Sequence, residues 1–211
     1  MQPWQPLIAF WFGEETDDVI RAKRQAPLWW GKNSDTDALL ASRFGDLVVA
    51  AAAGELAHWA DSAEGELAHW ADSAEGRLAL ILLLDQLPRN IHRGTPAAFA
   101  QDAKARDLCL KGLSLGADLA LPPLGRVFFY LPLEHAESRE QQARSVALFE
   151  GLAAEQADGP ARESFAGFAD FARRHQVIVE RFGRFPHRNA ILGRQDTAEE
   201  AAFLLQPGSG F

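Results

Sequence analysis

Three strings in this sequence gather side chains that can hold an anion or move a proton. The first, Asp85-Gln-Leu-Pro-Arg-Asn-Ile-His-Arg93, follows the intensely apolar run Leu78-Ala-Leu-Ile-Leu-Leu-Leu84. A helix that is apolar all round is buried, so polar residues at its end face partners rather than bulk water. The second, Arg126-Val-Phe-Phe-Tyr-Leu-Pro-Leu-Glu-His-Ala-Glu137, carries carboxylates and an imidazole just beyond Pro132, where the apolar run is expected to break, with Gln141 and Gln142 following. The third, Arg181-Phe-Gly-Arg-Phe-Pro-His-Arg-Asn189, continues to Arg194. The first and third share a pattern of apolar residue, proline, Arg-Asn and a later arginine, with His187 intervening in the third. Residues 173–194 hold six arginines against Glu180 alone, a net of +5, which leaves −13 on the remainder of a chain whose total is −8.

Three readings of these strings stand side by side. The planar guanidinium fork suits carboxylate or phosphate, asparagine adds both a donor and an acceptor, and Pro186 holds the side chains in a turn. A pocket for a small anionic metabolite is therefore one reading. In the second, Glu134, His135 or His187 acts as an acid or base, extending to an acid/base or metal-assisted hydrolase. The third needs no ligand: arginines near proline-broken helix ends bond terminal carbonyls and pair with buried carboxylates, closing the fold. His92 reads as a surface or interfacial histidine.

Other chemistries leave no trace. There is no His-Glu-x-x-His, no Glu-x-x-His pair of the di-iron type and no cysteine cluster, so no metal and no other cofactor is expected, although Glu134, His135, Glu137 and His175 could meet in space. Phosphate loops, dinucleotide-binding glycine motifs and the Gly-x-Ser-x-Gly elbow are missing. The lone Cys109 reads as a small core residue and cannot form an internal disulfide, which fits a reducing compartment. Acidic total charge argues against nonspecific nucleic-acid binding. No apolar run approaches the ~20 residues needed to span a bilayer, and the first residues lack a signal-peptide pattern. The expectation is a cytoplasmic protein with neither a nucleic-acid nor a membrane partner.

The elements that position these residues are helices. Apolar residues recur at spacings of three and four throughout, which predicts an all-α chain with helices at 4–12, 16–29, 36–57, 74–87, 96–115, 122–130, 138–156, 161–182 and 197–205. Ser34 or Asp35 is expected to cap the third, Thr95-Pro96 to open the fifth, and Thr197 with Glu200 to form a capping box. Gly31, Gly94, Gly116 and Gly183 suit helix ends in the left-handed conformation. The aromatic strings Phe10-Trp-Phe12 and Trp29-Trp30 are expected in the core or a helix seam. With 211 residues and 47% hydrophobic composition, residues 1–211 read as a single domain able to bury a core.

One repeat interrupts the pattern. Gly54 to Glu64 recurs letter for letter as Gly65 to Glu75, and each copy carries three acids and no Lys or Arg. Eleven residues turn a helix by about 1100°, within ~20° of three full turns, so an added copy nearly preserves helical phase. Either the third helix runs on through it, or residues 65–75 loop out as an insertion; Asp-Ser pairs and Gly65 favour the loop. Paired His58/Trp59 and His69/Trp70 as a binding face is the minority reading.

Phe10-Trp-Phe-Gly13, Leu80-Ile-Leu-Leu-Leu-Asp-Gln-Leu-Pro-Arg-Asn90, Phe128-Phe-Tyr-Leu-Pro-Leu-Glu-His-Ala-Glu137 and Arg181 to Arg194 together resemble the bacterial family of uncharacterised proteins called domain of unknown function 924. The likeness runs in order along essentially the whole chain. It implies an all-helical fold of about nine helices, a tetratricopeptide-like superhelix of antiparallel helix pairs or a bundle, and it implies no activity. The polar positions that match the family's motifs are Asp85, Gln86, Arg89, Asn90, Arg93, Arg126, Glu134, His135, Glu137, Gln141, His175, Arg184, His187, Arg188, Asn189 and Arg194. His92 stands where an aromatic is expected, and Gln195-Asp196-Thr197 where an acidic-Ser-Thr string is usual. The leading expectation is that the three strings line one cavity for a small anionic ligand, with Arg89, Arg93, Arg184 and Arg188 as donors and Glu134 and Glu137 orienting them. The alternative is a concave helical surface that holds a protein or peptide.

Overall fold

The computed structural model describes residues 2–53 and 70–210, and among these every regular element is helical. The order is α1 (Gln5–Phe12), α2 (Asp18–Trp30), α3 (Ser34–Ala53), α4 (Ala74–Ile81), a π turn (Leu82–Gln86), α5 (Leu87–Ile91), α6 (Asp102–Ser114), α7 (Pro123–Glu134), α8 (Arg139–Ala154), α9 (Pro160–Phe182) and α10 (Ala198–Leu204). Short 3-10 turns lie at Trp70–Asp72, Pro96–Ala98, Ala117–Ala120 and Pro186–Arg188. The backbone stays helical at Leu82 (φ −59°) and Leu87 (φ −61°), so α4, the π turn and α5 form one rod. Counted so, the described residues carry nine helical rods, as the periodicity predicts. None is long and apolar enough to cross a membrane. The choice between an extended third helix and a looped copy at 65–75, and the His58/Trp59 and His69 positions, fall largely outside the described residues.

Capping chemistry sets most helix starts. Asp17 Oδ1 accepts the N–H groups of Val19 and Ile20, Ser73 Oγ accepts that of Gly76, and Thr197 with Glu200 makes the expected reciprocal box. Three starts and stops differ from expectation. Asn33, rather than Ser34 or Asp35, caps α3, its Oδ1 accepting from Asp35 and Thr36. Thr95-Pro96 opens a 3-10 turn, and the following α-helix begins only at Asp102. Pro132 does not break its run, because α7 continues through it to Glu134; a proline this close to a helix C-terminus removes a single ladder bond. Gly94, Gly116 and Gly183 do take positive φ, but Gly31 has φ −72°. Its constraint is steric: a Cβ there would lie 2.1 Å from the Pro27 carbonyl oxygen.

The rod α4–α5 runs through the centre, with Leu78 to Leu84 all buried, as their unbroken apolar character demands. Aromatic rings pack one end. Phe128 of α7 meets Trp11, Phe12 and Trp29 edge-on, and the half-exposed Trp30 stacks on it at 7° between planes. Cys109 is fully inaccessible, and burial pushes its thiol far above the ordinary range, so it is a core residue and not a nucleophile. Phe128→Ala empties the centre of this aromatic cluster. It is expected to cost about 3–5 kcal/mol in urea denaturation and to shift tryptophan emission, because three indoles lose their common neighbour.

Candidate functional site

The site begins with a fault in the central helix. Pro88 has no N–H to offer the Leu84 carbonyl, and its ring would clash there, so the ladder shifts by one residue. Leu87 N–H bonds Leu82 O, a π bond, and the widened turn holds Asp85 and Gln86. Such turns recur at functional sites because they re-aim side chains out of helical register. Asp85 is completely buried. Its carboxylate accepts from Gln86 Nε2 at 2.6 Å, pairs with Arg89 at 3.1 Å, and lies 2.9 Å through each oxygen from His135 Nδ1. Burial alone would raise its pKa; Arg89 and His135 outweigh burial and hold the carboxylate ionised, well below the usual range. An ionised Asp85 accepts only, so His135 Nδ1 carries the proton. Burial, reinforced by Arg89, keeps the ring neutral.

The network extends sideways. Arg89 also bonds its own helix at the Asp85 carbonyl and reaches Asp102 at 3.0 Å, and Arg188 reaches the same Asp102 oxygen at 3.2 Å. Arg188, in the 3-10 turn after Pro186, is only 6% exposed. Its guanidinium carbon sits 4.7 Å from the Phe99 ring centroid and 4.5 Å from that of Phe185. Among the described residues Asp102 is its one hydrogen-bonding partner, and its buried Nε has none. Burial, with Arg89 beside it, pushes this guanidinium down to about 10. Burial likewise raises Asp102, whose Oδ1 is buried without a partner. These groups border a cleft of about 330 Å³, lined on its polar side by Asp102, Arg106, His135, Glu137 and Arg188, and elsewhere by Pro96, Phe99, Leu192 and three alanines.

Behind His135 lies a second polar layer. Glu134 is pushed up to about 8, by burial and then by Asp85, and His175 down to about 2, by burial and then by His135. His175 Nδ1 is 2.9 Å from the Phe171 carbonyl and 3.1 Å from Glu134 Oε1. One ligating atom from each of Glu134, His135 and His175 lies within 4.8 Å of the other two, so this trio could hold a metal ion. Glu137 does not join it. Its carboxylate accepts from Arg194 at 2.7 and 2.9 Å and from Phe185 N–H at 2.8 Å.

The remaining residues picked from the sequence disperse. Asn90 and Arg93 both bond Asp37 and so fasten α5 to α3. Arg126 pairs with Glu155 and donates to Tyr130, whose hydroxyl bonds Asp118, away from the cleft. Arg184 clamps Glu200 at 2.6 and 2.7 Å, Asn189 bonds Asp196, and Gln141 sits at the start of α8. His187, pushed down to about 4 by burial and then Arg188, packs against Phe185 without lining the cleft. Among the described residues the three strings thus do not line one cavity in full: Asp85, Arg89, His135, Glu137 and Arg188 converge at or behind the cleft, while Asn90, Arg93, Arg126, Arg184, Asn189 and Arg194 join elements, and Gln141 lies in the first turn of α8. Asp102 and Phe99, central to the cleft, carried no signal in the sequence. They lie just beyond the first string, in a stretch with no unusual composition.

Residues 7–208, which contain every element of this site, match the model of a family described as bacterial protein of unknown function (DUF924). The chain belongs to that family. The DUF924 chain is also similar to the solved structure of a protein of unknown function from Agrobacterium tumefaciens, with 39% identity over 89% of this chain and 95% of that one, and a TM-score of 0.71. No functionally curated protein matches it.

Two outcomes separate fastening from site residues in this DUF924 protein. Asp37→Ala strands Asn90 and Arg93 and is expected to lower stability by about 1–2 kcal/mol in urea, the lower end because Arg93 is partly exposed. The Glu200 carboxylate is held at about 2, chiefly by its hydrogen bonds from Arg184. An unfolded glutamate binds its proton near pH 4.5, so the folded state gains from this pair above that pH and loses the gain as pH falls toward 2. Glu200→Gln is expected to flatten the stability profile across that window in thermal melts, while leaving the profile above it parallel to that of the parent protein.

Proposed function

We propose that the cleft binds a small organic anion, with a carboxylate or phosphate head on Arg188 and a short apolar body against Phe99, Pro96 and Leu192. The observation that carries this reading is the state of Arg188. A guanidinium buried to this degree is ordinarily saturated with acceptors, because unpaired buried donors cost about 1–3 kcal/mol each. This one lines the cleft, shares a single aspartate oxygen with Arg89, and has its buried Nε without a partner. An anionic head supplies the missing acceptors and relieves the cation that burial disfavours.

Asp102 supports the same reading. An ionised carboxylate here would repel an incoming anion, but burial moves Asp102 toward its protonated form, and Oδ1 has no partner. Cleft size sets the ligand class: about 330 Å³ lies at the low end of small-molecule sites, room for a metabolite of modest size and not for a peptide.

Thermal shift is the direct test, with inorganic phosphate, short phosphate monoesters and short mono- and dicarboxylates as probes. A ligand present at about 100 times its dissociation constant stabilises the native state by roughly 2.7 kcal/mol. At least one probe is expected to raise the melting temperature saturably in the parent protein and not in Arg188→Met, which keeps an apolar stem between the two phenylalanines. No shift with any probe, or an equal shift in both proteins, would overturn the proposal.

A further inference from the structure

We propose that Glu134, His135 and His175 form a binding site for a divalent first-row transition ion of the zinc class, placed immediately behind the cleft. The inference goes beyond anion binding and does not depend on it. Its first support is the ligand set itself. Two imidazoles and a carboxylate, with one ligating atom each inside a 4.8 Å span, make the donor combination of zinc-type sites that keep an open position. Bond lengths of about 2.0–2.2 Å place tetrahedral ligand atoms about 3.3–3.6 Å apart, so side-chain rotation closes the trio by up to about 1.5 Å onto an ion between them.

The second support is the shell around the trio. Imidazoles that bind metal almost always give their other ring nitrogen to a carboxylate or a backbone carbonyl, which fixes the tautomer and aims the ligating atom. His135 has that arrangement, its Nδ1 held by Asp85, while His175 Nδ1 lies 2.9 Å from the Phe171 carbonyl and 3.1 Å from Glu134 Oε1, which ties the second imidazole to both the backbone and the carboxylate of the trio. Glu134 and His135 are consecutive at the end of α7. Gln142 Nε2 bonds the carbonyls of both Glu134 and Ala136, so the turn that carries the two ligands is tied down.

The third support is accessibility of one kind only. Glu134 and His175 are buried, whereas His135 also lines the cleft, so an ion reaches the trio from that side. Three protein ligands leave the fourth tetrahedral position to water or to an oxygen of whatever occupies the cleft. Oxygen-seeking ions such as Mg²⁺ find a poor match in a site with two nitrogens.

The test uses the full chain, stripped with a chelator and titrated with Zn²⁺ and Co²⁺, with Mg²⁺ as control. One equivalent of Zn²⁺ is expected, along with visible ligand-field bands of four-coordinate Co²⁺ and no uptake of Mg²⁺. X-ray absorption on the Zn²⁺ form is expected to show two imidazoles in the first shell. His175→Ala is expected to weaken binding by more than about 100-fold, beyond the 10–100-fold typical of losing an outer-shell partner. Arg188→Met, expected to lose the anion, should retain the ion, so the two proposals fail separately. Absence of stoichiometric uptake, a first shell with fewer than two imidazoles, or unchanged affinity in a folded His175→Ala would overturn the site. If that variant does not fold, the absorption spectrum of the parent protein decides alone.

Discussion

A carboxylate with no solvent contact sits at the centre of this molecule, and the arrangement of the site follows from what is needed to keep it there. Asp85 stays ionised because Gln86 and His135 donate to its carboxylate and Arg89 pairs with it. Removing one partner of such a buried group typically costs about 3–5 kcal/mol, so the three are held as firmly as the core. The consequences spread outward. Pairing with Asp85 fixes the tautomer of His135, and Arg89, anchored at one end on Asp85, positions Asp102 at the other and through it Arg188. Pro88 sets the backbone condition, since without the π turn Asp85 and Gln86 would sit on a different face of the rod.

Charge is distributed with a corresponding economy. The stretch 173–194 is strongly basic in sequence, yet four of its six arginines are neutralised in place. Arg173, Arg181, Arg184 and Arg194 each pair with a glutamate from outside the stretch, namely Glu150, Glu199, Glu200 and Glu137. The acidic excess of the rest of the chain supplies those partners. Arg174 lies over the Phe171 ring, and Arg188 differs from the rest in that its carboxylate is shared with a second arginine and its surroundings are aromatic. The proposed anion site therefore rests on one under-coordinated guanidinium and not on accumulated charge.

Much of this was legible in the sequence. The rods follow from apolar spacing, and the Thr197–Glu200 box from its signature. The polar end of the Leu78–Leu84 run correctly marked Asp85 and Arg89, because polar groups after a fully apolar helix have nowhere to go but to each other. Other features depend on tertiary placement. Asn90 and Arg93 look in sequence like Arg89, and only the position of Asp37 on α3 makes them fasteners. Asp102 lies on an ordinary amphipathic helix and becomes central only because two arginines from distant segments meet there. The π turn was hidden because Pro88 reads equally well as a helix end, and Pro132 because its proximity to the C-terminus of α7 makes it harmless.

The hydrogen bond between Asp85 and His135 is the contact on which the account turns, and long-range ¹⁵N–¹H correlation spectra of the metal-free protein observe it directly. At neutral pH His135 should appear as the neutral tautomer protonated at Nδ1, and this signature should be lost in Asp85→Asn. A His135 ring that is protonated at Nε2 alone, or that is fully charged, would contradict it.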